Sequence, residues 1–327
     1  MPARTRGTRR TRRRGSDPRM TTPHSGVVGW IGLGNIGGPM AKRLLQAGIR
    51  VLGTDLDAKA VAAFTDAGGE AAHSAREIAE QVDTVFLSVP NGAIARTVTL
   101  GDDGLTQGSR LRRVVDLSTI GASAAESLDR DVTAAGLAWI DAPVSGGVAG
   151  AMKGTLSVMA SGTPSAVEDI VPYLEHFGTV YRVGDRAGQG QVMKLVNNYL
   201  SAAALATTSE ALVVGVQAGL APTTMLEVLN ASSGRNSATL DKFPRAIVPR
   251  LFNLGFSTGL MAKDVGLFTD HARQLRVPLW VGSSIQQIWD HTTHQNGPHA
   301  DFSSIVQPYE RWAGVEVAEQ PSTTDTD

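Results

Sequence analysis

The chain has 327 residues, room for about two domains, and its 42% hydrophobic and 19% charged residues suit a globular chain with a sizeable core. It has no cysteine, which excludes disulfides, thiolate catalysis and sulfur-ligated metals; no uninterrupted apolar run reaches the roughly 18–20 residues of a membrane span. The net charge of −1 averages two unlike regions: eight arginines against Asp17 crowd the first nineteen residues, so the remainder carries about −8, an overall charge that gives no hint of a nucleic-acid-binding face.

The Arg-rich start, residues 1–24, lacks the apolar region of a secretory signal. It reads as a disordered tail, with Met20 an alternative first residue; a nucleic-acid arm or an amphipathic targeting peptide are the competing readings. Val27-Val28-Gly29-Trp30-Ile31 then predicts a buried parallel strand. It runs into Gly32-Leu33-Gly34-Asn35-Ile36-Gly37, and a helical pattern through Met40, Leu44 and Leu45 stops at Ala47-Gly48. A second strand, Arg50 to Thr54, ends at Asp55, 23 residues after Gly32, and completes a βαβ unit.

A Gly-x-Gly-x-x-Gly alone is weak evidence. Between a strand and a helix, with an acid at that distance, it points to a dinucleotide. Gly32 permits the tight turn, Gly34 lets the backbone approach a pyrophosphate, and Gly37 allows helix and strand to pack closely. Asn35 and Ile36 lead into a helix N-terminus whose free N–H groups and positive dipole suit an anion. Asp55 can bind ribose hydroxyls and would repel a 2′-phosphate. Leu56 stands where an NADP enzyme favours arginine, and Lys59 is the nearest cation for a phosphate. NAD is therefore expected over NADP.

The alternation continues. Thr84 to Val89 predicts a strand ending at Pro90-Asn91, and Arg112 to Leu117 one leading to Ser118-Thr119-Ile120. Ala138 to Asp141 leads to Ala142-Pro143-Val144-Ser145-Gly146-Gly147, and Leu156 to Ala160 and Thr179 to Val183 read as the last two strands. Ligands of doubly wound sheets sit beyond the carboxyl ends of strands, where these polar turns fall. The expectation is a Rossmann-type doubly wound α/β sheet over residues 25–186.

After Gly184 the strand signal ends. A long helix is expected from about Gly190 to Gln217, its apolar part Leu200 to Leu212 buried, with further helices near Thr223–Ser232, Leu240–Arg250, Met261–Leu275 and Ser283–His294. An all-α domain over 187–314 would form a cleft against the sheet, with residues 315–327 a second disordered tail. Lys194 and Asn198, four apart, share one helix face. Lys-x-x-x-Asn is commonly a solvated face; beside a dinucleotide cleft it becomes a candidate for proton transfer.

These residues resemble the β-hydroxyacid dehydrogenases, including 3-hydroxyisobutyrate dehydrogenase and tartronate semialdehyde reductase, over roughly Val27 to Trp312. Four motifs carry the resemblance in order: Gly32 to Met40, Asp141 to Gly147, Gly190 to Asn198, and Ala262 to Leu267. The resemblance implies that Lys194 is the general acid/base and Asn198 its substrate-orienting partner. It implies that Ser145, Gly146 and Gly147 form a loop whose N–H groups hold a carboxylate, with Ser118 beside the substrate. Thr119 matches a residue at the nicotinamide end, and Val89, Pro90 and Asn91 match the loop lining the cofactor groove. Lys263 matches a lysine that closes on cofactor or substrate, and Asp264 one that fixes the local helix. Read alone, each is an ordinary turn or solvated pair.

The implied reaction moves a hydride between NAD and a small β-hydroxy acid or its semialdehyde while Lys194 moves the hydroxyl proton. A free lysine, pKa about 10.4, is a poor base at neutral pH, so burial or nearby Lys263 must lower it. Phosphogluconate dehydrogenases carry a His where Asn197 stands, imine reductases usually replace the lysine, and sulfolactaldehyde reductases share a segment like Asn197-Asn198-Tyr199 but depart in the Asp141–Gly147 loop. The other readings are a sulfolactaldehyde, succinic semialdehyde or glyoxylate reductase, and a non-catalytic NAD-binding scaffold. His291, His294 and His299 raise a metal reading, against which a polar helix end running into Gly297-Pro298 is the plainer one. Arg235, Asn236, Lys242 and Phe256 are unranked specificity candidates. Expected partners are a small carboxylate and a second or fourth copy of the chain, not membrane or nucleic acid; the expected location is cytoplasmic.

Overall fold

The computed structural model describes residues 26–319. The Arg-rich segment and the residues beyond 319, both expected as tails, lie outside the described residues. Nine strands form one sheet: β1 Val27–Ile31, β2 Arg50–Thr54, β3 Glu70–Ala71, β4 Thr84–Leu87, β5 Arg113–Asp116, β6 Ala138–Asp141, β7 Val144–Ser145, β8 Leu156–Ser161 and β9 Gly178–Gly184. Their order is β3-β2-β1-β4-β5-β6-β8-β7, with β9 also paired to β8. Neighbours from β3 to β6 run parallel, β8 is antiparallel to β6 and β7, and β9 is parallel to β8.

The central strands are mostly apolar and buried on both faces, with polar residues confined to their ends. Alternate residues serve opposite faces: Trp30, Phe86 and Val115 join Met40, Leu44 and Phe177, while Ile31, Val85 and Leu87 join Ile78, Ala79 and Leu105. The Trp30 ring stacks on Phe86 at 5.5 Å and meets Phe177 edge-on at 5.7 Å. Fully burying one such phenylalanine contributes roughly 2–3 kcal/mol. β2 and β4 lie on opposite sides of β1, so the turns after β1 and β4 diverge and leave a crevice between them.

Among the described residues strands end at Gly184, and the later regular elements are helical apart from one isolated bridge, Ser257 with Asp301. Helix Gln189–Gln217 is the spine: it touches β6, β8 and β9 on one side and helices Thr258–Gln274, Trp280–Asn296 and Val306–Ala313 on the other. Although no single apolar run predicted it, this helix is long and apolar enough to cross a membrane. Here Ala202, Leu205, Ala206 and Leu212 face a core with Phe243, Met261, Val265, Trp289 and Ile305.

Three features differ from the sequence expectation. β3 and β7, two residues each, are too short to show a period. The helix expected over Leu240–Arg250 is a π-helical segment, Ala238–Ile247, in which Val248 N–H reaches back five residues to Phe243; Pro244 within it has no N–H to donate. The helix Val306–Ala313 was not expected, and the residues after it are not a tail from 315 onward. Val317 is fully buried and its N–H donates to Glu310, whose carboxylate is also paired with Arg250. A buried apolar residue and a fixed hydrogen bond hold this stretch where its composition suggested disorder.

Candidate active site

The glycine turn separates fold from ligand. Gly32 has φ +93°, and a Cβ there would meet Ser88 O at 2.1 Å; one at Gly37 would meet Gly32 O at 2.0 Å. Those two glycines are demanded by the turn and the helix packing. A Cβ at Gly34 meets nothing within 4 Å. Gly34 is thus unconstrained by the protein and opens on the crevice, as a residue that lets a pyrophosphate approach must; the motif fits a dinucleotide. Asn35 is exposed and Ile36 half-buried beside it. Asp55 lies across the turn: Oδ2 accepts Leu33 N–H at 2.6 Å and Oδ1 accepts Asp57 N–H at 2.8 Å. Lone pairs remain for a ribose, and exposed Leu56 offers a phosphate nothing.

The next two strand ends are joined to each other. Val89 N–H donates to Ser118 Oγ at 2.8 Å, and Ser118 is buried, so this hydroxyl holds the two loops together. Pro90 is exposed, and Asn91 spends its side chain capping helix Gly92–Leu100 through Ile94 N–H. Lys263 arrives from the helical half and donates to Thr119 O at 2.7 Å and Pro90 O at 3.2 Å. It clips both loops from above.

The third strand end carries Ser145, half-buried, and Gly146 and Gly147, exposed with φ +136° and +65°. Asp141, fully buried, anchors this region: it accepts from Trp139 Nε1, Ser161 Oγ and Gly188 N–H. Burial pushes its carboxyl up to about 6 despite those bonds. Ser161 Oγ also accepts Gly190 N–H at 2.7 Å, so the long helix starts pinned to the sheet.

From that helix, Lys194 and Asn198 project inward and are 8% and 6% exposed. Asn198 Nδ2 donates to Asp264 Oδ2 at 2.6 Å, and Asn197 Nδ2 donates to Asn198 Oδ1 at 3.0 Å and Ser145 Oγ at 3.3 Å. Asn198, Asn197 and the Ser145 loop are thus bonded into one cluster, and Lys194 lies close enough to Asp264 to feel its charge. Burial lowers the Lys194 amine to about 8; Asp264 opposes this and Lys263 adds to it. A lysine near 8 can exchange a proton close to neutral pH.

Two residues mattered more than the sequence showed. Asp264 is 2% exposed and reaches across to Asn198 rather than serving only its own helix. Gln191, fully buried, ties the helix to residues 116–121. Its only sequence signal is its place one turn before Lys194 on the same face. Asn236 bonds Thr208 Oγ1 and Lys242 bonds Ser237 Oγ, both contacts within the helical half. His291 lies 5.4 Å from the Trp312 ring, and no group of three His, Cys, Asp or Glu among the described residues could hold a metal.

Comparison with known proteins places these features. Residues 27–184 match the NAD-binding domain model of 6-phosphogluconate dehydrogenase, and residues 188–309 match the NAD-binding model of NADP-dependent 3-hydroxyisobutyrate dehydrogenase. The chain is 36% identical over 293 residues to 2-(hydroxymethyl)glutarate dehydrogenase of Eubacterium barkeri, covering 89% of this chain and 97% of that one. It is 37% identical over 295 residues to 3-hydroxyisobutyrate dehydrogenase of Pseudomonas aeruginosa, covering 86% and 98%. Among solved structures, 3-hydroxyisobutyrate dehydrogenase of Mycobacterium tuberculosis with L-serine superposes with TM-score 0.78 at 29% identity, covering 87% of this chain and 99% of that one.

Proposed function

The chain belongs to the β-hydroxyacid dehydrogenase family, NAD(P)-dependent enzymes acting on CH–OH groups, and on that premise we propose that Lys194 is the proton-transferring residue of an NAD-preferring oxidation of a small β-hydroxy acid. The observation that carries this is geometric: an amine 8% exposed, one helical turn from an amide held by Asp264, and burial lowers that amine to about 8. A nicotinamide cofactor, once bound, would supply the hydride acceptor. Lys194, in its neutral form, takes the hydroxyl proton; in the reverse direction its ammonium returns one. Asn198, held by Asp264, orients the hydroxyl. The N–H groups around Ser145, Gly146 and Gly147 hold the carboxylate, which leaves a β-hydroxyl rather than an α-hydroxyl near the amine.

Asp55 and Leu56 support NAD over NADP, and Gly34 supports close approach of the pyrophosphate. The intact carboxylate loop favours 3-hydroxyisobutyrate-like acids, as does the name borne by the Pseudomonas relative. A division at residue 187, a cytoplasmic location and a dimer or tetramer built on the helical half complete the proposal. The test follows absorbance at 340 nm with NAD and, separately, NADP, using 3-hydroxyisobutyrate, D-glycerate, 3-hydroxypropionate, 4-hydroxybutyrate, L-serine and dihydroxypropanesulfonate. Turnover with NAD and 3-hydroxyisobutyrate is expected. A response to the sulfonate alone would redirect the carboxylate assignment, and silence in protein that binds NADH would favour a non-catalytic scaffold.

A further inference from the structure

Gln191 has no part in the chemistry described so far, yet it is the most completely engaged side chain near the cleft. Its Oε1 accepts from Ile120 N–H at 3.0 Å and Gly121 N–H at 3.2 Å. Its Nε2 donates to Ser118 O at 3.0 Å and Asp116 Oδ2 at 3.3 Å. A primary amide has two acceptor positions and two donors, and here all four are used. Asp116, also fully buried, accepts Ser118 N–H on its other oxygen, and Ser118 Oγ accepts Val89 N–H. The chain of bonds runs from the β4 loop through the β5 loop into the long helix.

The position of this amide matters as much as its bonds. Gln191 lies three residues before Lys194 on one helix, so the two share a face. The turn it grips contains Thr119, at the end of β5 where the nicotinamide edge is expected. Lys263 grips the same turn through Thr119 O. A simple tie between two halves would need one or two bonds to any convenient loop. Three bonds to the Ser118–Gly121 turn and a fourth to Asp116 at the end of β5 fix the turn's orientation as well as its distance.

We propose that Gln191 is a positioning residue for hydride transfer: it sets the Ser118–Gly121 turn against the helix that carries Lys194, so that hydride and proton leave the substrate from one fixed geometry. The proposal rests on Lys194 being the acid/base. Gln191 touches neither substrate nor cofactor in this account, and it acts through the turn.

Two variants test it. Gln191→Met keeps the length and removes every hydrogen bond. Expected is a kcat for 3-hydroxyisobutyrate lowered roughly 10- to 100-fold, the range for a misplaced reacting group. KM for NAD and for the acid should stay within about threefold. The deuterium isotope effect with carbinol-deuterated substrate should rise as hydride transfer becomes limiting. In cofactor-free protein, amide exchange at Ile120 and Gly121 should accelerate, since their acceptor is gone. Gln191→Glu separates positioning from packing. Above about pH 8 its carboxylate would face Asp116, with Asp141 adding like charge and Lys263 opposing it. Near about pH 5.5 the neutral acid again accepts from both N–H groups and donates once. Its kcat relative to wild type should climb about tenfold over that range, the worth of one to two hydrogen bonds.

Wild-type kcat in both variants overturns the proposal, as does a flat Gln191→Glu ratio with amide exchange unchanged. A Gln191→Met that does not fold leaves the Gln191→Glu ratio to decide. A Lys194→Ala control separates the two levels. Turnover that survives Lys194→Ala overturns the acid/base reading and this inference with it; turnover lost there but intact in the Gln191 variants overturns this inference alone.

Discussion

The sheet half and the helical half build their shares of the site from different material. The sheet half contributes mainly backbone, with the Asp55 carboxylate and Ser145 hydroxyl beside it: a glycine turn whose geometry is fixed by Ser88 and Gly32 carbonyls, and strand-end loops that present N–H groups. The helical half contributes buried side chains: Lys194, Asn198 and Asp264, the last two bonded to each other, and Gln191, bonded to the end of β5 and its loop. The difference teaches how each half should fail. Backbone that binds a cofactor is lost by adding atoms, and side chains that move protons are lost by removing them.

The sharpest break is Lys194→Ala. Turnover should fall about 10³-fold, within the range for a general acid/base, while NADH affinity measured by fluorescence stays unchanged. Equal loss of both would mean that the halves do not divide their work. Next is a pair within one turn. Gly34→Ala should leave the melting temperature unaltered and weaken NADH binding at least about tenfold, because its Cβ enters the space left for the pyrophosphate. Gly37→Ala should lower the melting temperature first, since its Cβ would strike Gly32 O at 2.0 Å. If both variants melt like wild type, the distinction between fold glycine and ligand glycine fails.

How legible each half was follows the same line. β1, β2 and β6 span the residues expected of them, because strands covered on both faces carry a nearly continuous apolar signal. The glycine turn and Asp55 were readable because a backbone motif is local. Gln191 and Asp264 were not, since their partners lie 70–75 and 66 residues away and no spacing rule connects a helix to a distant strand end. Asn91 and Ser118 were assigned ligand roles by resemblance, and the structure places both side chains on protein partners. The π-helical turn and the packed Val317 depend on tertiary contacts that leave no periodic trace.

Smaller effects sharpen the electrostatics. Asp55→Ser combined with Leu56→Arg should shift the ratio of kcat/KM for NADP over NAD upward by about tenfold or more, the worth of one charge contact. An unchanged ratio would move cofactor choice elsewhere. Asp264→Asn keeps the shape near Asn198 and removes the negative charge that raises the Lys194 pKa. The pH limb of oxidation should then move to lower pH by roughly one unit or less, and a move upward would assign Asp264 the wrong electrostatic role.

The most direct test is the pH dependence of kcat/KM for NAD-linked oxidation by the wild-type protein, which reports groups of the free enzyme. On the proposed mechanism the neutral amine is the active base, and burial lowers Lys194 to about 8. The rate should therefore rise with pH, bend near about 8 and level off above it, with the limb absent from residual Lys194→Ala turnover. A flat profile, or the same limb in Lys194→Ala, would contradict a buried lysine as the proton-transferring residue.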